Sequence, residues 1–285
     1  MSRRPRRSVP LTVACLILLG YFLLPLYWLV IASTKDVGQL FHSFGLWFAG
    51  GGFNLPGNIR QLARYQDGVY LRWFANTALY AVVSAGGAAA LATAAGYGFA
   101  KFDFPGKRLV FNLLLGAIMV PSTALAVPTY LLFSRVGLVD TPLAIILPSL
   151  LSPIGLYLMR IYATDAVPDE LIDAARVDGA GEFRIFARVG LRLLMPGVIT
   201  VLLFTLVATW NNYFLPLIML NDPKWYPVTV GLAQWNAQAS GGGGAQALFN
   251  LVITGALLSV LPLIAAFLLL QRFWQSGLSS GAVKV

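Results

Sequence analysis

Pro168-Asp-Glu-Leu-Ile-Asp-Ala-Ala-Arg-Val-Asp-Gly-Ala-Gly-Glu-Phe-Arg-Ile-Phe-Ala-Arg-Val-Gly-Leu-Arg-Leu-Leu-Met-Pro196 is a charged island in a 285-residue chain that is elsewhere mostly apolar. Counted with Asp165, it holds 6 of the 11 acidic residues; Arg176, Arg184, Arg188 and Arg192 are 4 of the 20 basic ones. Charges of this density are costly in hydrocarbon, so the island lies in water or against a protein partner. What flanks it decides the fold.

The flanks are apolar. The chain is 58% hydrophobic and 11% charged, whereas soluble domains average about 25% charged. Uncharged runs fill residues 8–34, 73–100, 109–134, 141–159, 193–221 and 225–271. A helix needs roughly 20 mainly apolar residues to cross a bilayer. The first five runs each fit one crossing. The sixth begins Gly- and Gln-rich and fits one at 247–271. Apolar/polar alternation in segments of about ten residues, the mark of a barrel, is missing. The expected fold is therefore an all-α polytopic membrane protein. It has a basic tail at 1–10, spans at about 11–33, 74–100, 109–133, 141–160, 194–220 and 247–271, the island as a loop at 161–193 between spans 4 and 5, and a tail at 273–285.

Sidedness follows from the cations. The tail carries Arg3, Arg4, Arg6 and Arg7, and the apolar run after it is too long for the core of a signal peptide. With six spans, 14 basic residues fall on the side of both termini and 6 on the other. The positive-inside rule then places both termini and the island in the cytoplasm. Residues 35–72 and 221–246 become external loops, the second ending in Ser240-Gly-Gly-Gly-Gly244. Pro121 and Pro128 interrupt the third span, and Pro142, Pro148 and Pro153 the fourth. The +9 net charge is distributed by membrane side, which argues against nucleic-acid binding.

Few side chains offer chemistry. One cysteine, Cys15, and one histidine, His42, supply neither a metal site nor a catalytic triad. The spans lack the acidic side chains of a proton relay, which weighs against an ion-driven secondary transporter. At the end of span 5, Trp210, Asn211, Asn212 and Tyr213 admit two readings. The aromatics could stack on a sugar face while the amides bind hydroxyls, or the group could form an interfacial belt with interhelical hydrogen bonds.

Within the island, Pro168 suits a helix N1 position, and Asp169 and Glu170 complement the positive helix terminus. Leu171, Ala174, Ala175 and Asp178 share a face, and Gly179 suits a left-handed C′ residue. A second helix from about Glu182 would carry Phe183, Phe186 and Val189 as an apolar stripe, with Arg184 and Arg188 on another face. Two short helices around a Gly turn, one with small residues and one with aromatics, fit either a membrane surface or a cytosolic partner's groove. The small residues favour the partner.

Asp173-Ala-Ala175, Gly179 and Val189-Gly-Leu191 resemble the "EAA" loop of importer permeases of the ATP-binding cassette (ABC) superfamily. The context Pro168-Asp-Glu-Leu-Ile-Asp-Ala-Ala-Arg-Val-Asp-Gly-Ala180 is similar to the carbohydrate-uptake branch, in particular the maltose-type second permease. The stretches 96–108, Trp210-Asn211 and 271–284 resemble it too. Asp173 replaces the usual Glu, and Arg192 stands where a proline is expected. The resemblance implies a non-catalytic subunit of a binding-protein-dependent sugar importer in the bacterial cytoplasmic (inner) membrane. It would pair with a homologous permease, two ATPase subunits and an extracytoplasmic sugar-binding protein. The coupling residues would be Glu170, Asp173, Ala174, Ala175, Asp178, Gly179, Phe183, Phe186 and Arg188. ATP and Mg would sit on the ATPase, since this chain has no Gly-x-x-x-x-Gly-Lys-Ser/Thr loop. An oligosaccharide is the expected cargo, with a glycerol-phosphate-type solute as the alternative.

Overall fold

The computed structural model describes residues 8–48, 50, 52–241 and 247–280, with side chains to residue 271. Among them the chain is helical, and it divides into two compact units, 1–70 with 232–261, and 71–231 with 262–285.

The first unit opens with α1 (Val9–Ser33), begun by the Ser8 hydroxyl accepting from the Leu11 N–H. Its side chains are exposed up to the last turn, where Ile31, Ala32 and Ser33 become buried. The expected external loop at 35–72 instead contains two helices, α2 (Val37–His42) and α3 (Leu55–Arg64). Local rules explain them. Asp36 and Gln39 form a capping box at the start of α2. Asn58 in α3 donates to the carbonyls of Ser33 and Lys35, at 2.8 and 2.9 Å. Its own carbonyl oxygen accepts from Asn54 and Asn250, so one amide ties α1 to α3 and to residues further on. Gln66, Asp67 and Gly68 take left-handed conformations just ahead of α4 (Val69–Lys101).

The second unit holds most of α4, then α5 (Lys107–Ile118), α6 (Ala126–Arg135), α7 (Leu143–Ser149), α8 (Pro153–Ala166), α9 (Asp169–Val177), α10 (Glu182–Ile185), α11 (Leu191–Trp210) and α12 (Phe214–Met219). α13 (Val228–Ser240) and α14 (Ala247–Ser280) run from one unit into the other. α13 occupies what reads as loop, because Val228, Val230, Leu232, Trp235 and Ala239 give it a buried side.

Among the described residues, five helical stretches are long and apolar enough to cross a membrane: Val9–Ser33, Leu55–Lys101, Leu143–Ala166, Glu182–Trp210 and Ala247–Gln271. The third expected span is two helices, α5 and α6, each too short alone. The break falls at Pro121, which has no N–H for the helix and biases the residue before it away from α. Residues 121–126 turn through the Ala124, Leu125 and Ala126 N–H groups, each bonding three residues back. Pro128 costs nothing, because it lies in the first turn of α6.

α4, α8 and α11 approach closely where glycine removes a side chain. A Cβ on Gly96 would stand 2.6 Å from the Met159 Cβ and 2.8 Å from the Arg160 nitrogen. One on Gly155 would meet Val201 at 2.8 Å, and one on Gly197 would meet the Met159 sulfur at 3.0 Å. The core so formed includes Ala89, Ala92, Tyr97, Met159, Ala163, Leu194 and Val201, and it continues into Ile172 and Ile185 of the charged island. At the other end of the unit, α4 is bound to residues 223–228. Trp73, Asn76 and Tyr80 donate to the carbonyls of Pro223, Lys224, Trp225 and Tyr226, and the Val228 N–H donates to the Thr77 hydroxyl.

Candidate functional site

The island folds as two helices around a glycine turn. α9 begins at Asp169. Pro168 is its N-cap and not its first residue as expected, because its ψ of 139° keeps it outside the helix. Gly179 has φ +77°, the left-handed conformation expected at C′. The Gly179 N–H bonds the Arg176 carbonyl and the Ala180 N–H bonds that of Ala175, which completes a Schellman closure.

The two faces differ from the expected stripes. Ile172 and Ile185 are buried, and Ala175, Ala180, Phe186 and Val189 pack behind them against α8 and α11. The Phe186 ring lies 5.0 Å from that of Tyr97. Phe183 does not share this side. It is 82% exposed. The buried side of this helix is centred on Ile185, and Phe183 stands two helical positions, about 200°, away from it. A single π-helical turn follows at residues 186–190, where the Leu191 N–H bonds the Phe186 carbonyl.

Of the nine proposed coupling residues, Glu170, Asp173, Ala174, Asp178, Gly179, Phe183 and Arg188 are exposed. Ala175 and Phe186 belong to this chain's own core. Sequence reasoning passed over Val177, which is 88% exposed. Leu171, Ala174 and Val177, at i, i+3 and i+6 on α9, and Phe183 on α10 are all exposed. The signal of Val177 was an apolar residue at the end of a short charged helix, next to a glycine turn.

Ion pairs brace the island. Arg176 reaches Glu182 at 2.8 Å and Asp173 at 3.0 Å, joining α9 to α10. The hydrogen bond to Glu182 is the main cause holding the Arg176 guanidinium above its ordinary pKa. Lys101, the last residue of α4, meets Asp169 at 2.7 Å with its side chain only 7% exposed. Arg160 lies 3.8 Å above the Phe111 ring, pinning α8 to α5.

The four residues at 210–213, where α11 ends and the chain turns toward α12, stand in different surroundings. Trp210 is buried edge-on to Phe74 at 5.7 Å. Asn211 folds back to the Val207 carbonyl at 2.9 Å, and Tyr213 is exposed. Only Asn212 lines the cavity of about 790 Å³ between α8, α11 and Phe267. Its polar neighbours are Ser149, Ser152, Thr205 and Thr209. Thr205, Thr209 and Asn212 are spaced i, i+4, i+7, and that helical period in the sequence would have marked this wall. Beyond it, the Asp222 carboxyl is held below its usual range, first by its hydrogen bond with Lys224. The described residues contain no group of His, Cys, Asp and Glu able to hold a metal.

Residues 68–279 match the family model of the binding-protein-dependent transport system inner membrane component. The chain belongs to this family. The permease is 27% identical over 281 residues to the arabinooligosaccharides transport system permease protein AraQ of Bacillus subtilis (strain 168), covering 97% of this chain and 95% of that one. It is 30% identical over 262 residues to the lactose transport system permease protein LacG of Rhizobium radiobacter, covering 91% and 90%. The maltodextrin transport system permease protein MdxG of Bacillus subtilis (strain 168) is 32% identical over 224 residues, covering 77% and 78%. In fold, the permease resembles a chain from the crystal structure of a bacterial ABC transporter involved in the import of the acidic polysaccharide alginate. That match has a TM-score of 0.78 at 18% identity and covers 96% of this chain and all of the other.

Proposed function

We propose that this permease imports an oligosaccharide as one half of a translocation path, driven by a separate ATPase pair that docks on residues 169–188. Three relatives named for arabinooligosaccharides, lactose and maltodextrin support the cargo class. The cavity supports it too. Ser149, Ser152, Thr205, Thr209 and Asn212 can bond hydroxyls, Phe204 and Phe267 offer apolar faces, and no lining residue is charged. A phosphate-bearing solute would want a cation there, so the glycerol-phosphate alternative is the poorer fit. An ion-driven mechanism would want a carboxylate there.

The proposed topology has six crossings, with α5 and α6 together making the third, and both termini and the island cytoplasmic. A homologous permease completes the path and an extracytoplasmic binding protein delivers the sugar. ATP and Mg act on the ATPase, and this chain positions neither. The observation that carries the coupling role is the exposure of Leu171, Ala174, Val177 and Phe183 on a loop whose reverse side is core. An apolar knob around small residues suits a groove in a partner.

The test is uptake into vesicles holding the assembled importer with its binding protein. Phe183→Asp should abolish uptake and the stimulation of ATP hydrolysis by the binding protein, with membrane insertion intact. Wild-type uptake by that variant would overturn the docking role.

A further inference from the structure

The segment after α1 carries an unexplained surface. From residue 37 to residue 59 the chain has no Asp, Glu, Lys or Arg, and within that stretch stand Phe41, Phe44, Trp47, Phe48 and Phe53. All five are exposed, Phe44 to 73% and Trp47 to 66%. Aromatic exposure on this scale needs a cover.

Geometry indicates which cover. The segment does not rise away from the end of α1; it turns back along it. The Tyr27 hydroxyl donates to the Leu46 carbonyl at 3.1 Å. A Cβ on Gly45 would lie 3.6 Å from the Trp28 indole nitrogen, so the backbone there runs against that ring. Tyr27 stands six residues before the last residue of α1, Ser33. At about 1.5 Å per residue, that is roughly 9 Å down the helix. A 25-residue helix is about 37 Å long and overhangs a hydrocarbon core of about 30 Å by only a few ångströms at each end. Leu46 and its neighbours therefore reach the boundary between headgroups and acyl chains. The one cation at the turn is turned inward: Lys35 is 1% exposed and donates to the Phe44 carbonyl at 2.6 Å. Its charge is withheld from the aromatic surface, and the same bond holds Phe44 in place.

We propose that residues 41–48 form a membrane-embedded wedge whose aromatic side chains lie in the interface of the outer leaflet beside α1. Such a wedge would be continuous with the exposed apolar surface of α1. Aromatic rings are favoured at that depth, and interfacial elements bury about 5–10 Å into it. The proposal rests on reading α1 as a crossing.

The experiment uses single cysteines in a Cys15→Ser background, in the assembled importer reconstituted into phosphatidylcholine vesicles. Each cysteine carries an environment-sensitive fluorophore, and nitroxide-bearing phosphatidylcholine is the quencher. Leu18→Cys, midway along α1, reports the crossing itself, and Asp103→Cys reports water. The expected result is that Phe44→Cys and Trp47→Cys are quenched several-fold more than Asp103→Cys, and more by a nitroxide near the headgroup than by one deep in the acyl chain, while Leu18→Cys shows the opposite depth order, with or without the binding protein. Quenching at Leu18→Cys together with water exposure at both loop sites overturns the wedge and leaves the crossing standing. So does protection of the loop sites that appears only on adding the binding protein, or shielding from lipid by the partner permease. Absence of quenching at Leu18→Cys overturns the crossing, and the wedge with it.

Discussion

Gly179 stands at φ +77°, and a Cβ there would meet nothing within 4 Å. Substitution therefore costs backbone strain alone, on the order of 1–2 kcal/mol for an ordinary L residue. Gly179→Val should cut uptake sharply with insertion intact and with a loss of stability no larger than that strain, because no core side chain is displaced. Gly179→Asn should be milder, since asparagine tolerates the left-handed region. Uptake measured side by side for the two variants checks this, and equal uptake by both would contradict it. Asp173 is the residue where the family pattern has Glu. Its carboxylate is held by Arg176 at 3.0 Å within the same helix.

Lys101 and Asp169 join two elements, the end of α4 and the start of α9. Lys101→Asp should uncouple ATP hydrolysis from uptake, and adding Asp169→Lys should restore much of the coupling, measured as sugar moved per ATP. An effect that the double exchange does not repair would mean that Lys101 acts by packing alone. Helix α4 also contains an internal control. Gly96→Val forces its side chain into the α8 backbone and should destabilise the permease by about 1–3 kcal/mol. Gly98→Ala, where a Cβ meets nothing within 4 Å, should be neutral or stabilise by up to about 1 kcal/mol. Thermal unfolding in nanodiscs separates them. These elements also show where the sequence was legible. Long uncharged runs gave α1, α4, α11 and α14, because lipid demands them. The Gly179 turn was readable because one residue type dominates left-handed caps. α3 and α13 were not readable, since their evidence is tertiary: the Asn58 bonds, and Trp235 entering a core that only the fold assembles; α2 did carry a local mark, the Asp36–Gln39 capping box. The Phe183 stripe failed because the buried side is centred on Ile185, which a three-residue aromatic period passes over.

At the scale of the whole molecule, the proposed sidedness is open to direct measurement. With Cys15 replaced, a cysteine at Lys224 should react with an impermeant thiol reagent from outside, and one at Asp103 only after permeabilisation. Reversed reactivity would invert the topology, and equal labelling at both would deny it. Half of the cavity wall was likewise within reach of sequence, through the i, i+4, i+7 row at Thr205, Thr209 and Asn212. The other half, Ser149 and Ser152, depended on where the break between α7 and α8 falls. One feature joins the loop to that wall. From Glu182 to Trp210 the helix is continuous, passing through the π turn and through Arg192, where the family pattern has proline. Those 29 residues span about 43 Å, and the helix can bend along them at two points, the π turn at 186–190 and Pro196. A tilt imposed at Phe183 passes through both before it reaches the end of α11 beside Asn212. Under the proposed docking role, the loop and the cavity wall lie on one helical stretch, and the bend at Pro196 sets how a push at one end alters the shape of the cavity at the other.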